Sequence, residues 1–262
     1  MEYFHLYMLT GMLAGLTAGL FGLGGGLVSV PALLILFNWL GVSNAEKVPM
    51  AIATSLAVIS LTAISSALTH KQQGNVSMAA LKKLLPGLVL GAMLGAYLVS
   101  IIPAFWLLIG FAMLMFYVSI NMWFGSQQLR VQRGNANGLA IWGLAIGSSS
   151  SLLGIGGGTF TVPLLRKKGF SLAQAIGTSA ACGLPIAWMA TLTFVLIGHL
   201  GGMSATGYVH GTAFLGLILT SPLFAFFGAR LVKRLDKQLL QRLFAVLMVL
   251  VAVRMLWFAL GE

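Results

Sequence analysis

The chain has 262 residues, of which 59% are hydrophobic and only 7% are charged. Soluble domains carry about 25% charged residues, so most of this chain cannot face water. The net charge of +11 does not indicate nucleic-acid binding, because the basic residues lie in short loops beside apolar stretches, where Lys and Arg set membrane orientation. A single cysteine, Cys182, excludes an intrachain disulfide and a cysteine-based metal site.

Several stretches are long enough to span a bilayer, which takes ~20 apolar residues per helix. The sequence predicts six such spans, at residues 49–69, 84–102, 104–124, 173–197, 212–231 and 239–260. No strand-period alternation is present, which argues against a transmembrane barrel. We therefore expect an all-α polytopic membrane protein.

A glycine-rich motif occurs twice, at residues 19–34 and 151–165. Gly22, Gly24, Gly25, Gly26, Val30 and Pro31 recur as Gly154, Gly156, Gly157, Gly158, Val162 and Pro163. Each copy is followed by a second shared element, residues 51–55 and 175–179. The pattern predicts two membrane repeats, residues 1–124 and 138–262, joined by a polar cytoplasmic linker at 125–137. Internal repeats of this size are typical of secondary transporters.

The basic residues indicate how the glycine segments sit in the membrane. If each segment crosses the membrane, 9 basic loop residues lie on one side and 5 on the other. If each segment enters and returns, 13 basic residues lie on one side, with only Lys47 and Arg254 on the other. The second arrangement obeys the positive-inside rule better and gives two repeats of inverted topology. We favour this re-entrant form; a glycine-broken helix that crosses fully is the alternative.

Length supports the re-entrant form. Only residues 159–165 separate Gly158 from the basic cluster Arg166, Lys167 and Lys168, and such an arm covers ~10 Å of helix. That is too short to span a bilayer. The prediction places the basic loops in the cytoplasm and both termini in the periplasm.

The glycine runs suggest a binding site for an anion. Backbone at mid-bilayer depth must be hydrogen-bonded unless it is buried or lines a cavity, and freed N–H groups at a helix N-terminus attract anions. The candidate substrate-binding residues are Gly24, Gly25, Gly26, Ser29, Thr54, Ser55, Gly156, Gly157, Gly158, Thr161, Thr178 and Ser179. Pro31 and Pro163 complete the structural motif.

Other interpretations of these residues remain open. The glycine triplets could be structural breaks, and the Ser and Thr residues could bridge helices. Glycines at four-residue spacing, Gly11/Gly15/Gly19 and Gly87/Gly91/Gly95, indicate close helix packing. A dinucleotide fingerprint requires a soluble βαβ unit, and the apolar flanks exclude it.

The acidic residues are Glu2, Glu46, Asp236 and Glu262, all in predicted loops or termini. A carboxylate inside the membrane, the usual proton or sodium relay, is therefore not expected. The four histidines lie near span ends, and Arg254 lies near the outer end of the last span. No catalytic constellation, metal-ligand set or cofactor motif is recognisable, so we do not expect an enzyme.

The doubled G-x-G-G-G-x-x-x-V-P signature, the A-[IV]-[AG]-T-S element and the whole-chain repeat resemble the TauE/SafE sulfite-exporter family of membrane permeases. The resemblance implies transport of a small sulfur-containing anion (sulfite, thiosulfate or an organosulfonate) across the bacterial inner membrane, by export. The second signature ends against Arg166–Lys168 whereas the first continues in apolar sequence. One loop could therefore carry most of the binding.

The sequence thus predicts a secondary transporter with an alternating-access site between two glycine-rich helix breaks. A passive anion channel and a transporter of another small organic anion are the alternatives. We expect a small anion and the lipid bilayer as partners. The sequence leaves open whether the protein forms a homo-oligomer.

Overall fold

The structure is a computed structural model that describes residues 3–21, 25–123, 138–203, 205–231 and 237–261. Ten α-helices and no strand occur in these ranges. The first half holds α1 (Phe4–Phe21), α2 (Gly26–Trp39), α3 (Asn44–Gln72), α4 (Met78–Ile101) and α5 (Ala104–Trp123). The second holds α6 (Leu139–Leu152), α7 (Gly158–Lys167), α8 (Leu172–Leu200), α9 (Gly211–Leu231) and α10 (Lys237–Gly261). The predicted site residue Gly24 and the predicted linker 125–137 lie outside the described residues.

The six predicted spans are confirmed. Within the described part of the chain, six helices are long and apolar enough to cross a membrane: Ala45–Gln72, Met78–Ile101, Ala104–Asn121, Leu172–Leu200, Gly211–Gly228 and Arg242–Leu260. Large apolar side chains such as Trp106, Met113 and Leu219 stay exposed on their outer faces. Contiguous apolar surface of this kind is rare on soluble proteins and suits contact with lipid. The chain is therefore an all-helical, multi-pass membrane protein.

Helices of one half pack most closely against helices of the other. Glycines on α1 lie against α9, where Gly15 meets the Ser221 backbone, and Gly228 of α9 meets Leu16. In the same way, Gly91 of α4 meets the Leu144 backbone of α6. Because residue numbers rise together along both pairs, each pair is parallel. The predicted packing role is confirmed for Gly11, Gly15, Gly87, Gly91 and Gly95, since a side chain there would collide with the partner backbone. Gly19 lies on the same face, with its Cα 3.3 Å from a methyl group placed on Gly228.

The long helices α3 and α8 cross at the centre of the molecule. The indole N–H of Trp188 donates to the Ser60 carbonyl at 2.9 Å. Beyond the end of α3, Asn75 lies against Gly177 near the start of α8. The two helices therefore run antiparallel.

The first glycine break turns the chain back on itself. The ring of Tyr7, near the start of α1, lies 6.5 Å from that of Phe37, near the end of α2. A methyl group at Gly25 would lie 3.1 Å from the carbonyl oxygen of Ala14, midway along α1. Thus α1 and α2 form a helical hairpin, and α2 ends beside the residues where α1 begins.

The close approach of α4 and α6 predicts that alanine substitution destabilises the protein at Gly91 but not at Gly110. In Gly91→Ala the added methyl group would overlap the Leu144 carbonyl, and overpacking of this kind costs about 1–3 kcal/mol. Gly110→Ala is the matched control, because its nearest neighbour, Leu153 Cδ2, is 4.0 Å away. Thermal unfolding in detergent should show a lower Tm for Gly91→Ala alone. Equal Tm values would contradict the packing described here.

Candidate functional site

The two glycine breaks touch each other at the centre of the protein. A methyl group on Gly26 would lie 2.5 Å from the Gly154 carbonyl oxygen and 2.8 Å from Ile155 Cα. Gly154 adopts a left-handed conformation with φ of +65°, which glycine reaches without strain. The structure thus brings together the loops that the repeated motif singled out.

Hydroxyl groups of the first half are used to hold this contact. The Ser55 hydroxyl donates to the Gly154 carbonyl at 2.9 Å, and Ser29 Oγ lies 2.7 Å from Ser55 Oγ. Because Ser55 has one hydroxyl proton, Ser29 must be the donor in the second bond. Both side chains are buried, so both protons are engaged inside the protein.

Thr54 and Thr178, equivalent in the repeat, make mirrored bonds. The backbone N–H of His210 donates to Thr54 Oγ1 at 3.0 Å, and that of Ser77 donates to Thr178 Oγ1 at 2.9 Å. Ser77 is the N-cap of α4, and His210 precedes α9. Each threonine therefore holds the start of a spanning helix in the opposite half.

The second break differs in leaving a hydroxyl without a partner. The Thr161 side chain is fully buried, and its Oγ1 makes no hydrogen bond among the described residues. A methyl group on Gly157, the residue before α7, would lie 3.4 Å from this oxygen. An unpaired buried hydroxyl costs free energy, so a ligand that accepts its proton would be favoured here.

The backbone amides beside Thr161 are also available. Within the described ranges, the N–H groups of Gly156, Gly157 and Gly158 donate to no backbone carbonyl. Residues 154–157 are buried, and α7 begins at Gly158. Amides at a helix N-terminus carry the positive end of the helix dipole. The donors around this break suit a small anion.

Two further hydroxyls near this break were not among the predicted residues. Ser150 Oγ and Thr159 Oγ1 are buried and lack a partner among the described residues. The run of four serines at 148–151, directly before the break, was a signal that could have identified the first. The break therefore carries more potential donors than the signature alone suggests.

A groove of about 540 Å³ opens between α5, α6 and α7. Ser149 and Phe160, next in sequence to the unpaired hydroxyls, line it, and Lys167 and Lys168 lie along it at the end of α7. The basic cluster that follows the second signature thus borders this groove.

Three further predicted residues lie within helices. Ser179 is buried on α8, and Pro31 and Pro163 lie inside α2 and α7. No carboxylate of a described residue lines the groove, and no group of three or more His, Cys, Asp or Glu residues that could hold a metal occurs in the described ranges.

Comparison with known proteins identifies the family. The profile of "Sulfite exporter TauE/SafE" matches residues 7–255. A "Probable membrane transporter protein" of Haemophilus influenzae is 34% identical over 95% of this chain and 97% of its own length. A protein of the same name from Xylella fastidiosa strain 9a5c is 30% identical over 95% of this chain and 93% of its own length.

More distantly, "Probable membrane transporter protein YunE" of Bacillus subtilis is 22% identical over 97% of both chains. No solved structure shows a significant match. The paired glycine breaks, the spanning helices and the whole-length match agree, and the chain belongs to the TauE/SafE sulfite exporter family of membrane transporters.

Proposed function

We propose that the protein is a secondary transporter that exports a small sulfur-containing anion, namely sulfite, thiosulfate or an organosulfonate. The anion would bind at the second glycine break, between the amides of Gly156–Gly158 and the Thr161 hydroxyl. The observation that carries this proposal is the fully buried Thr161 hydroxyl, which has no partner among the described residues.

The chemistry of the site favours an oxyanion over a cation. Hydroxyl and amide N–H groups donate to several oxygens at once, and the start of α7 adds a favourable dipole worth up to ~2 kcal/mol in a partly buried site. Lys167 and Lys168, along the groove, would raise the local anion concentration. Sulfur oxyanions and sulfonates present several oxygens that can accept hydrogen bonds from these donors.

The packing of the two halves supports transport by alternating access. Helices α3 and α8 are equivalent in the repeat yet run antiparallel, as two repeats of inverted topology require. The mirrored bonds of Thr54 and Thr178 support the same relation. We propose that the halves exchange conformations around the contact between Gly26 and Gly154.

We further propose a bacterial inner-membrane location with the basic loops in the cytoplasm and both termini in the periplasm. The α1–α2 hairpin supports a re-entrant segment, because α2 ends beside the start of α1. A passive anion channel is the second candidate. Saturable, slow flux would support the transporter, and single-channel currents would support the channel.

Removal of one hydroxyl tests the site. Thr161→Val keeps the side-chain shape but loses the donor, and one hydrogen bond to a charged group is worth about 1.5–3 kcal/mol. We expect a roughly tenfold or larger loss of sulfite or methanesulfonate flux in proteoliposomes, with Thr161→Ser retaining activity. The control is Thr193→Val, since the hydrogen bond that Thr193 makes among the described residues goes to the Met189 carbonyl of its own helix. Unchanged flux in Thr161→Val would rule out this site.

Reporter fusions test the re-entrant hairpin. Residue 43 precedes α3 and residue 76 follows it, so the two positions should report opposite sides, with 43 periplasmic and 76 cytoplasmic. A fusion after residue 3 should report the same side as residue 43, because the hairpin returns the chain to where it entered. Opposite reports from 3 and 43 would indicate a crossing segment.

A further inference from the structure

The bonds to Thr178 and Thr54 come from the residues that cap α4 and α9, and these two N-cap residues are of different types. Ser77 precedes α4, and its hydroxyl accepts the Ala80 N–H at 3.4 Å. His210 precedes α9, and its ring Nδ1 accepts the Ala213 N–H at 3.3 Å. Both are N-caps that bond the third residue of the helix, and both donate their own backbone N–H to a threonine of the other half. Only the His210 cap can be titrated.

We propose that His210 is the binding site of the proton that drives transport, and that protonation of Nδ1 releases residues 206–210 from Thr54. The proposal rests on the proposed transport function and names its coupling ion. The proton would bind at the loop of residues 206–210, outside the spanning segments and on the side of the protein opposite the basic loops.

The chemistry of the cap explains the release. Nδ1 can accept the Ala213 N–H only while it is unprotonated, because both ring nitrogens of a histidinium are donors. Protonation would set two N–H groups against each other and place a positive charge at the N-terminus of α9, where the dipole is also positive. The bonded arrangement is therefore specific for neutral His210.

The polar neighbour of the ring is Thr212, whose Oγ1 lies 3.2 Å from Nδ1. This oxygen can accept a proton carried by Nδ1, and the Ala213 N–H then loses its acceptor. The His210 ring lies 5.1 Å from that of Phe37 and 5.9 Å from that of Tyr7. Glu46 and His210 both line a cavity of about 420 Å³. Lys47, next to it, donates to Asn38, the residue after Phe37. On α10, Arg254 packs over Phe258, whose ring also faces Lys47.

Burial lowers the pKa of His210 from its ordinary value. A group with a lowered pKa stabilises the bonded arrangement at high pH, and this contribution is lost as the pH falls below about 6.5, the ordinary histidine pKa. Acid should therefore favour the released loop at this end. Ser77 does not titrate, so the equivalent bond at the other end should not respond.

Matched cysteine reporters test the proposal without any transported anion. Ala51 and Ala175 are equivalent in the repeat, both are fully buried, and each lies one turn before its threonine. In a Cys182→Ala background, maleimide labelling of Ala51→Cys and Ala175→Cys is measured in proteoliposomes at pH 7.5 and 5.5. Each rate is divided by that of the unfolded protein at the same pH, which removes the intrinsic reactivity of the thiol.

We expect acid to increase the normalised labelling of Ala51→Cys by up to about tenfold, because pH 5.5 lies one unit below the ordinary histidine pKa of about 6.5 and each pH unit changes the ratio at most tenfold. Ala175→Cys should not change. His210→Ser, which copies the Ser77 cap of α4, should abolish the pH response. If His210→Ser folds poorly, His210→Asn provides a second cap that does not titrate. Ser77→His should transfer the response to Ala175→Cys.

Labelling of Ala51→Cys that is independent of pH, or an equal response with and without His210, would overturn the proposal. Either result would leave the anion site intact, because that site is tested separately by Thr161→Val. With methanesulfonate, which stays ionised in this range, proton movement reported by a trapped pH dye should accompany flux in the wild type. Flux without proton movement would also overturn it.

Discussion

The bond from the Ser55 hydroxyl of α3 to the Gly154 carbonyl holds the second glycine break at the point where it meets Gly26 of the first. Broken helices expose backbone groups that lipid cannot satisfy, and an unpaired buried carbonyl is costly. Each break here is buried against the other, and Ser55 satisfies one carbonyl across the interface. The spanning helices that surround this contact, α3 and α8 above all, shield it from lipid.

The same contact makes the two breaks unequal. In the first half, Ser29 and Ser55 give their protons to the protein. In the second half, Thr161 stands at the equivalent place of Ser29 and has no partner among the described residues. Among the described residues, the hydroxyl of Ser29 is therefore engaged and that of its repeat counterpart Thr161 is not.

Close helix packing allows this framework to form. Gly15 and Gly91 let whole helices approach one another, as small residues do in membranes. Such interfaces are tight and carry few side-chain hydrogen bonds, whereas Thr54 and Thr178 bond single backbone groups at the two ends. Close helix pairs with a few local bonds at their ends are compatible with the rigid-body rearrangement of the halves that we propose.

The sequence by itself determined the six spans, the glycine packing faces and the doubled break. These follow from hydropathy, four-residue spacing and repetition, all of which are local in the chain. The tertiary structure decided which hydroxyls are engaged. Ser55 finds its acceptor 99 residues away, Thr178 its donor 101 residues away and Thr54 its donor 156 residues away. No local pattern specifies such pairings, so Thr161 and His210 stand out only once the two halves are packed together.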